Sequence, residues 1–317
     1  MKTAIIGLGV IGKVHYQVLE SLNNLPVAIC DVEESKMEGY VGARFTDYRK
    51  MLDEIRPDIV HICTPHYLHA EMIVYALERN INVLCEKPLC ISREQMESIL
   101  SAEKKSQAVL GVCHQNRYLP SNVFAKKYLE DKKLLSAYGT VVWKRDKAYY
   151  DSAEWRGKWA TEGGGVLINQ ALHTLDLMQW MSGFPRQVSA SVNTLNLSDV
   201  IEVEDSALAI YYGDVQTVFT ASTAGGADFP VELVFRTEND LIRVYGDQVF
   251  INGKQYEFEE QSYFGKKVYG SGHKGLISHF YECVQNKQKF WIDGEEGAKV
   301  VRMILGAYES HAQKIDL

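Results

Sequence analysis

The chain has 317 residues, 46% of them hydrophobic and 24% charged, with a formal net charge of −7, and its length is typical of two domains. The acidic balance argues against nucleic acid or an anionic membrane surface as a partner. Its apolar runs are too short for a membrane span or a secretory signal. Its six cysteines form no CxxC pair, which favours buried, reduced thiols. We therefore expect a cytoplasmic globular protein.

The first third of the chain alternates short apolar runs with amphipathic stretches. Runs typical of strands buried on both faces lie at 3–6, 27–30, 59–63, 83–85 and 109–113. Helices are predicted between them over 11–22, 48–55, 69–79 and 93–105, the last with Ser92 as its N-cap. This alternation predicts an α/β domain over residues 1–120, a doubly wound parallel sheet covered by helices.

The pattern changes after residue 120. Helices are predicted over 121–132, 166–181, 273–285 and 295–312, and strands over 138–145, 188–194, 207–212, 217–222, 231–236 and 241–245. This order predicts a second, α+β domain over residues 121–317, built around a mostly antiparallel sheet. Its last helix could instead pack back on the first domain.

A GxGxxG motif, Gly7 to Gly12, lies at the first junction of strand and helix. There the first glycine permits a tight turn, Gly9 lets a pyrophosphate approach the backbone, and Gly12 lets helix and strand pack closely. The anion would lie at the helix start, beside the backbone of Val10 and Ile11. A tight turn without a ligand is the alternative.

Asp31 directly follows the second predicted strand, nineteen positions after Gly12, near the spacing of the acid that binds the ribose of a dinucleotide. A carboxylate there repels the 2′-phosphate of NADP, so NAD is the preferred cofactor. Asp31 could alternatively be a solvated turn residue.

Two further segments carry candidate catalytic groups. Lys87, in Glu86-Lys87-Pro88, follows a buried strand, where the carboxyl ends of parallel strands face the ligand. His173 is suited to proton transfer near neutral pH, and on a helix over 166–181 it would share a face with Asn169. A structural histidine and a solvated lysine are the alternatives.

Other candidate binding residues follow strand ends or precede the helix predicted over 166–181. Thr64, Pro65 and His69 would lie at the crevice and contact the cofactor. Trp155 and Arg156 suit a polyhydroxylated ring, although a packed connecting loop is equally compatible with them. The histidines show no metal-binding spacing within one segment, so no metal is predicted.

These motifs, in this order, make the chain resemble the glucose–fructose oxidoreductase / inositol dehydrogenase / rhizopine-catabolism (Gfo/Idh/MocA) family over nearly its full length. The resemblance rests on GLGVIG at 7–12, TPHYLH at 64–69, EKPL at 86–89, QNRYLP at 115–120 and GGGVLINQALHTLDLMQW at 163–180. It implies a Rossmann domain followed by a domain with a large open sheet, through which members form dimers or tetramers.

The resemblance also implies roles for individual residues. Lys87 would hydrogen-bond the reacting hydroxyl, and His173 would be the general base in oxidation. Glu86, Lys87, Gln115 and Asn116 would contact the cofactor, and Tyr118 and Asn169 the substrate. Inositol-dehydrogenase-like members often carry Asp at position 169, so Asn169 places inositol itself in doubt.

The sequence thus predicts an NAD-dependent oxidoreductase acting on a sugar, sugar acid or cyclitol. A reductase of the same fold acting on a dihydrodiol or tetrapyrrole is a second possibility. A dinucleotide-binding regulator without turnover is a third, although the retention of both Lys87 and His173 argues against it.

Overall fold

A computed structural model describes residues 1–259, 262–265 and 270–317. The chain forms two compact units, Met1–Tyr118 with Gln261–Ala298, and Leu119–Glu260 with Lys299–Leu317. The chain thus passes from one unit to the other three times, and the change of sequence pattern near residue 120 lies at the first of these passages.

The sheet of the first unit is parallel throughout. Its strands are β1 (Thr3–Ile6), β2 (Ala28–Cys30), β3 (Ala43–Phe45), β4 (Ile59–Ile62), β5 (Asn82–Cys85) and β6 (Leu110–Val112). They lie in the order β3-β2-β1-β4-β5-β6, which is the predicted doubly wound sheet. The order reverses between β1 and β4, and dinucleotides bind beside such a reversal. The sequence did not indicate β3, because its residues are largely exposed and so lack an apolar run.

The helices agree with the sequence pattern to within a few residues in most cases. They are α1 (Val10–Ser21), α2 (Tyr48–Ile55), α3 (His69–Leu77), α4 (Arg93–Lys105), α5 (Pro120–Leu129), α6 (Lys147–Asp151), α7 (Leu172–Ser182), α8 (Gly272–Gln285) and α9 (Gly294–Ser310). Ser92 caps α4 by accepting a hydrogen bond from the backbone N–H of Gln95, as predicted.

The prediction of a continuous helix over 166–181 is wrong in its first third. Turns occupy residues 166–171, and the helix begins only at Leu172. The backbone N–H groups of Gly165 and Leu167 donate to the Glu204 carboxylate, and that of Val166 donates to the Glu204 carbonyl. These hydrogen bonds connect the segment to a residue about forty positions away, and a helical period in the sequence could not show that contact.

The second unit contains a mostly antiparallel sheet, as predicted. Its strands are β7 (Leu134–Val142), β8 (Gln187–Asn193), β9 (Ser206–Tyr212), β10 (Gln216–Ser222), β11 (Glu232–Thr237), β12 (Leu241–Tyr245), β13 (Gln248–Ile251), β14 (Lys254–Tyr256) and β15 (Ile315–Asp316). They follow the order β14-β13-β12-β11-β7-β10-β9-β8-β15, and β7 and β10 pair in parallel. Burial alternates along β7, β9 and β10, so one face of the sheet packs on the core.

None of the described helices has the length and apolar character needed to cross a membrane.

Candidate functional site

The loop after β1 has the geometry expected of a dinucleotide-binding turn. Gly7 has φ +88°, and a Cβ there would lie 2.6 Å from the carbonyl oxygen of Cys63. A Cβ on Gly12 would lie 1.9 Å from the carbonyl oxygen of Gly7, so α1 packs directly on the loop. Around Gly9, by contrast, no described atom beyond its chain neighbours lies within 4 Å of the Cβ position. The backbone is thus accessible at the position where a pyrophosphate would approach.

The amino terminus of α1 is suited to an anion. Gly9 is its N-cap residue, and among the described residues no side chain caps this end and no acidic side chain lies in its first turn. The first N–H groups of a helix need acceptors and carry a partial positive charge. The exposed Val10 and the half-buried Ile11 follow directly. These observations fit the predicted dinucleotide.

Asp31 lies beside the same loop and is 8% exposed. Its Oδ2 accepts a hydrogen bond from the backbone N–H of Leu8 at 2.8 Å, and its Oδ1 accepts one from that of Glu33 at 3.0 Å. Asp31 is therefore bound to the dinucleotide loop and is not a solvated turn residue. The ammonium group of Lys36 lies 4.0 Å from Oδ1 of Asp31 and 2.6 Å from Oε1 of Glu33.

His69 connects the loop after β4 to the segment that carries Lys87. Its Nδ1 lies 2.7 Å from the carbonyl oxygen of Pro88, and its Nε2 lies 2.8 Å from that of Thr64. Complete burial lowers the pKa of His69, and the two carbonyl groups oppose that shift. A neutral imidazole has one N–H, so it can hydrogen-bond only one of these carbonyls at a time. His69 is thus placed to position Thr64, Pro65 and the Lys87 segment.

Lys87 is the second residue after β5 and is half-buried, and the Lys87–Pro88 peptide bond is cis. Its backbone N–H donates to Oε2 of Glu86 at 3.2 Å. The Glu86 side chain is buried, and its Oε1 lies 2.9 Å from Nε2 of His15 and 3.7 Å from Nε2 of His273. The carboxylate predicted to contact the cofactor is therefore occupied by interior partners. The sequence did not indicate these histidines, which lie in α1 and α8.

The segment after β6 forms a short 3-10 turn, Gln115–Tyr118. Gln115 is buried and Asn116 is half-buried. The Tyr118 hydroxyl contacts Nδ1 of His279 at 2.7 Å and accepts from Nε1 of Trp291 at 2.7 Å. Tyr118, predicted to bind substrate, is thus held by two side chains of its own unit.

His173 is half-buried in the first turn of α7, and Asn169 lies in the turns before that helix. The Asn169 amide donates to Oε1 of Glu162 and, at 3.3 Å, to the Tyr149 hydroxyl. Glu162 is fully buried, and its Oε2 accepts from the backbone N–H of Gly157 at 2.5 Å. A buried carboxyl group therefore adjoins Asn169, although the sequence placed none there.

Tyr149 brings together the polar side chains predicted to bind substrate. Its hydroxyl accepts from Nη1 of Arg156 at 2.5 Å and from Nε2 of Gln170 at 3.1 Å. The Arg156 guanidinium also lies over the rings of Tyr149 and Trp155, at 4.4 and 4.7 Å from their centroids. Arg156 and Asn169 are thus linked through one phenol, and Trp155 joins them through its contact with Arg156. The sequence did not indicate Tyr149 as a common partner.

Glu204 and Tyr308 hold the glycine-rich segment before α7. The Tyr308 hydroxyl donates to Oε1 of Glu204 at 2.9 Å. A Cβ on Gly164 would lie 2.1 Å from that hydroxyl, and one on Gly165 would lie 1.9 Å from the Glu204 carbonyl oxygen. Glu204 is 2% exposed, so its carboxyl group is an interior one.

Comparison with known proteins identifies two family models. The NAD-binding Rossmann-fold model of the Gfo/Idh/MocA oxidoreductases matches residues 1–114. The model of the Gfo/Idh/MocA carboxyl-terminal domain matches residues 133–251. Together the two matches cover more than two thirds of the chain.

Individual relatives agree with these models. The uncharacterized oxidoreductase YrbE of Bacillus subtilis is 24% identical over 98% of this chain and 94% of its own length. D-glucoside 3-dehydrogenase of Escherichia coli is 29% identical, over 61% of this chain and 57% of its own length. The solved WlbA dehydrogenase of Bordetella pertussis, in complex with NADH and UDP-GlcNAcA, has the same fold, with a TM-score of 0.90 at 24% identity over 100% of this chain and 97% of that one.

Proposed function

The chain belongs to the Gfo/Idh/MocA oxidoreductase family and has its NAD-binding Rossmann domain, and from that membership we propose its reaction. The protein transfers a hydride between NAD(H) and a secondary alcohol or ketone carbon of a sugar, sugar acid or cyclitol. The observation that carries this proposal lies within the first unit. The dinucleotide loop and Lys87 both follow strands of one parallel sheet, β1 and β5, at the edge where such sheets bind ligands.

Acid–base chemistry is assigned to two side chains. His173 accepts the proton of the alcohol in oxidation and returns it in reduction, a role suited to an imidazole near neutral pH. Lys87 donates a hydrogen bond to the same oxygen and stabilises the developing alkoxide. Bound NAD supplies the acceptor for the hydride that leaves the carbinol carbon.

The polar groups around Tyr149 support a hydroxyl-rich substrate. Arg156, Gln170 and Asn169 provide N–H donors, and the rings of Tyr149 and Trp155 provide flat apolar surface. Sugar rings present both hydroxyl groups and apolar faces, so they fit such a surface. Named relatives act on sugar-type compounds, as D-glucoside 3-dehydrogenase does by its name.

Replacement of the two proposed catalytic groups tests the reaction. We expect Lys87→Ala and His173→Ala each to lower kcat at least ~100-fold with little change in NADH affinity, because acid–base groups contribute factors of this size. Lys105→Ala, on an exposed position of α4, is the matched control. NADH formation with a panel of sugars, sugar acids and cyclitols is the assay. Wild-type rates in both variants would contradict the catalytic assignment.

Asp31 tests the choice of cofactor. We expect Asp31→Ala to lower the ratio of kcat/KM for NAD to that for NADP about tenfold, a difference of ~1.4 kcal/mol, because the carboxylate that repels a 2′-phosphate is lost. Lys36→Ala in the Asp31→Ala background should reduce the gain with NADP, since Lys36 lies beside this carboxylate. An unchanged ratio in Asp31→Ala would remove Asp31 from cofactor selection.

The same assay separates the alternative functions. Turnover of a dihydrodiol or tetrapyrrole, with none of any polyol, would favour the reductase of the same fold. Tight NADH binding without turnover of any compound would favour the regulator. Catalytic roles for Lys87 and His173 give no support to the regulator and do not favour the reductase over the proposed sugar dehydrogenase.

We further propose that copies of the chain associate through the exposed face of the second sheet into a dimer or tetramer. Apolar side chains on these strands remain 38–50% exposed: Leu135, Tyr138, Leu208 and Leu241. Such surface marks an interaction site when it is contiguous. Sedimentation velocity on the full chain measures this, and a monomer at all concentrations would contradict it. The six cysteines are buried thiols outside any disulfide, and this supports the cytoplasm as the compartment.

A further inference from the structure

The interior of the first unit contains four potential metal ligands from four separate segments. His15 lies in α1, Glu86 follows β5, Cys113 follows β6, and His273 lies in α8. One ligand atom of each lies within 4.8 Å of the other three. All four residues are buried, with exposures of 0%, 5%, 0% and 1%. The four residues lie far apart along the chain, so they form no metal-binding spacing within one segment, and the prediction of no metal did not consider them together.

His273 indicates that this cluster lacks a binding partner. Within the described part of the chain, neither of its ring nitrogens has a hydrogen-bond partner. Its Nε2 lies 3.7 Å from Oε1 of Glu86, too far for a good N–H···O hydrogen bond. Two ligand atoms on one tetrahedral zinc ion, at bonds of 2.0–2.3 Å, are separated by about 3.3–3.6 Å. The distance between His273 and Glu86 is close to that separation.

We propose that His15, Glu86, Cys113 and His273 bind a structural zinc ion. Imidazole, thiolate and carboxylate together form a zinc-type ligand set, whereas Mg²⁺ and Ca²⁺ prefer oxygen ligands. A Glu86 carboxylate and a Cys113 thiolate neutralise a divalent cation, so the filled site carries no net charge. That neutrality matters because an unbalanced charge in such a buried position is costly.

The surroundings of His15 fit a ligating imidazole. Its Nδ1 lies 2.7 Å from Nδ1 of His61, Nε2 of His61 lies 2.9 Å from the Tyr281 hydroxyl, and that hydroxyl lies 2.9 Å from Oγ1 of Thr3. When Nε2 of His15 binds a metal, Nδ1 carries its proton and donates to His61. His61 then donates to Tyr281, and Tyr281 donates to Thr3. Ligating histidines are usually oriented by such a partner on the other ring nitrogen.

A metal-free arrangement competes with this proposal. Nε2 of His15 and Oε1 of Glu86 are 2.9 Å apart, so a shared proton could occupy the place of the metal between them. That arrangement gives Cys113 no ligand role and leaves His273 beyond hydrogen-bond distance. Metal content and thiolate ligation therefore distinguish the two.

The experiment uses the full chain, expressed in zinc-supplemented medium with any affinity tag removed. Mass spectrometry of the elements should find one zinc ion per chain. Cys113→Ser and His273→Gln should each reduce bound zinc at least ~10-fold. Cys283→Ser, at another buried thiol of the same unit, is the matched control and should retain it.

Unfolding with a chelator and refolding with Co²⁺ provides a readout that does not require stable variants. Because the site is sealed, metal enters as the chain folds, and the refolded wild type should show thiolate-to-cobalt charge-transfer absorption. Wild type without zinc after expression and without this absorption after refolding would overturn the proposal. Equal zinc in wild type and Cys113→Ser would also overturn it. Neither result depends on turnover, so the proposed reaction is tested separately.

Discussion

Glu86 in the first unit and Glu204 in the second are both buried carboxylates, but their environments have opposite effects on ionisation. Burial acts to raise the pKa of Glu86, but the contacts that its carboxylate makes with the imidazoles of His15 and His273 outweigh burial, so the pKa lies well below its ordinary value. Burial raises the pKa of Glu204 to about 7, and its hydrogen-bond donors oppose that shift only in part.

The two pKa values differ because the partners of the carboxylates differ, since both groups are buried. Glu204 accepts from two backbone N–H groups and the Tyr308 hydroxyl, which are neutral. Glu86 faces imidazoles, which can carry a positive charge. Neutral donors therefore do not replace the solvation that a buried carboxylate loses, whereas ionisable partners do.

The same substitution at both positions should give the largest contrast. At pH 7 we expect Glu86→Gln to destabilise the protein by about 3–5 kcal/mol, because it removes one member of a buried charged network. Glu204→Gln should cost about 1–2 kcal/mol, because it mainly exchanges one acceptor for a donor. Guanidinium unfolding curves measure both, and equal costs would contradict the distinction.

The pH dependence of stability should differ as well. The folded-state pKa of Glu204 lies above the unfolded value, so its stabilising effect is complete below about pH 4.5 and is lost as the pH rises through about 7. The full loss is about 3 kcal/mol. Burial also raises the pKa of Glu103 to about 7. The measurement therefore compares unfolding curves from pH 5 to pH 8 with and without Glu204→Gln, in a Glu103→Gln background.

Loss of this pH dependence in the Glu204→Gln variant is the expected result. An unchanged slope would show that Glu204 does not titrate in this range.

Tyr308→Phe should give the smallest effect. It keeps the ring and removes the hydroxyl that donates to Glu204, so we expect a cost of about 1 kcal/mol at pH 8 and less at pH 5. The cost falls with pH because a protonated Glu204 needs this donor less. A cost that does not change with pH would contradict the contribution of Tyr308 to the ionised state.

Much of the first unit could be predicted because its signals are local. The parallel strands are continuous apolar runs. The glycines of the dinucleotide loop are required by close contacts within the loop or with the end of the neighbouring strand. The error over 166–171 has the opposite cause. The apolar spacing there is compatible with a helix, but the backbone of Gly165, Val166 and Leu167 is bound to Glu204, some forty positions away, and the segment forms turns instead.

The sequence by itself determined the alternation of strands and helices in the first unit apart from β3, the dinucleotide loop, and the family, since each depends on residue type over short spans. Only the tertiary structure decided the surroundings of the buried polar groups. His15, Cys113 and His273 meet Glu86, and Glu162 meets Asn169, because chain segments pack together. Electrostatic interactions depend on distance in space and on local burial, and neither quantity is contained in sequence spacing.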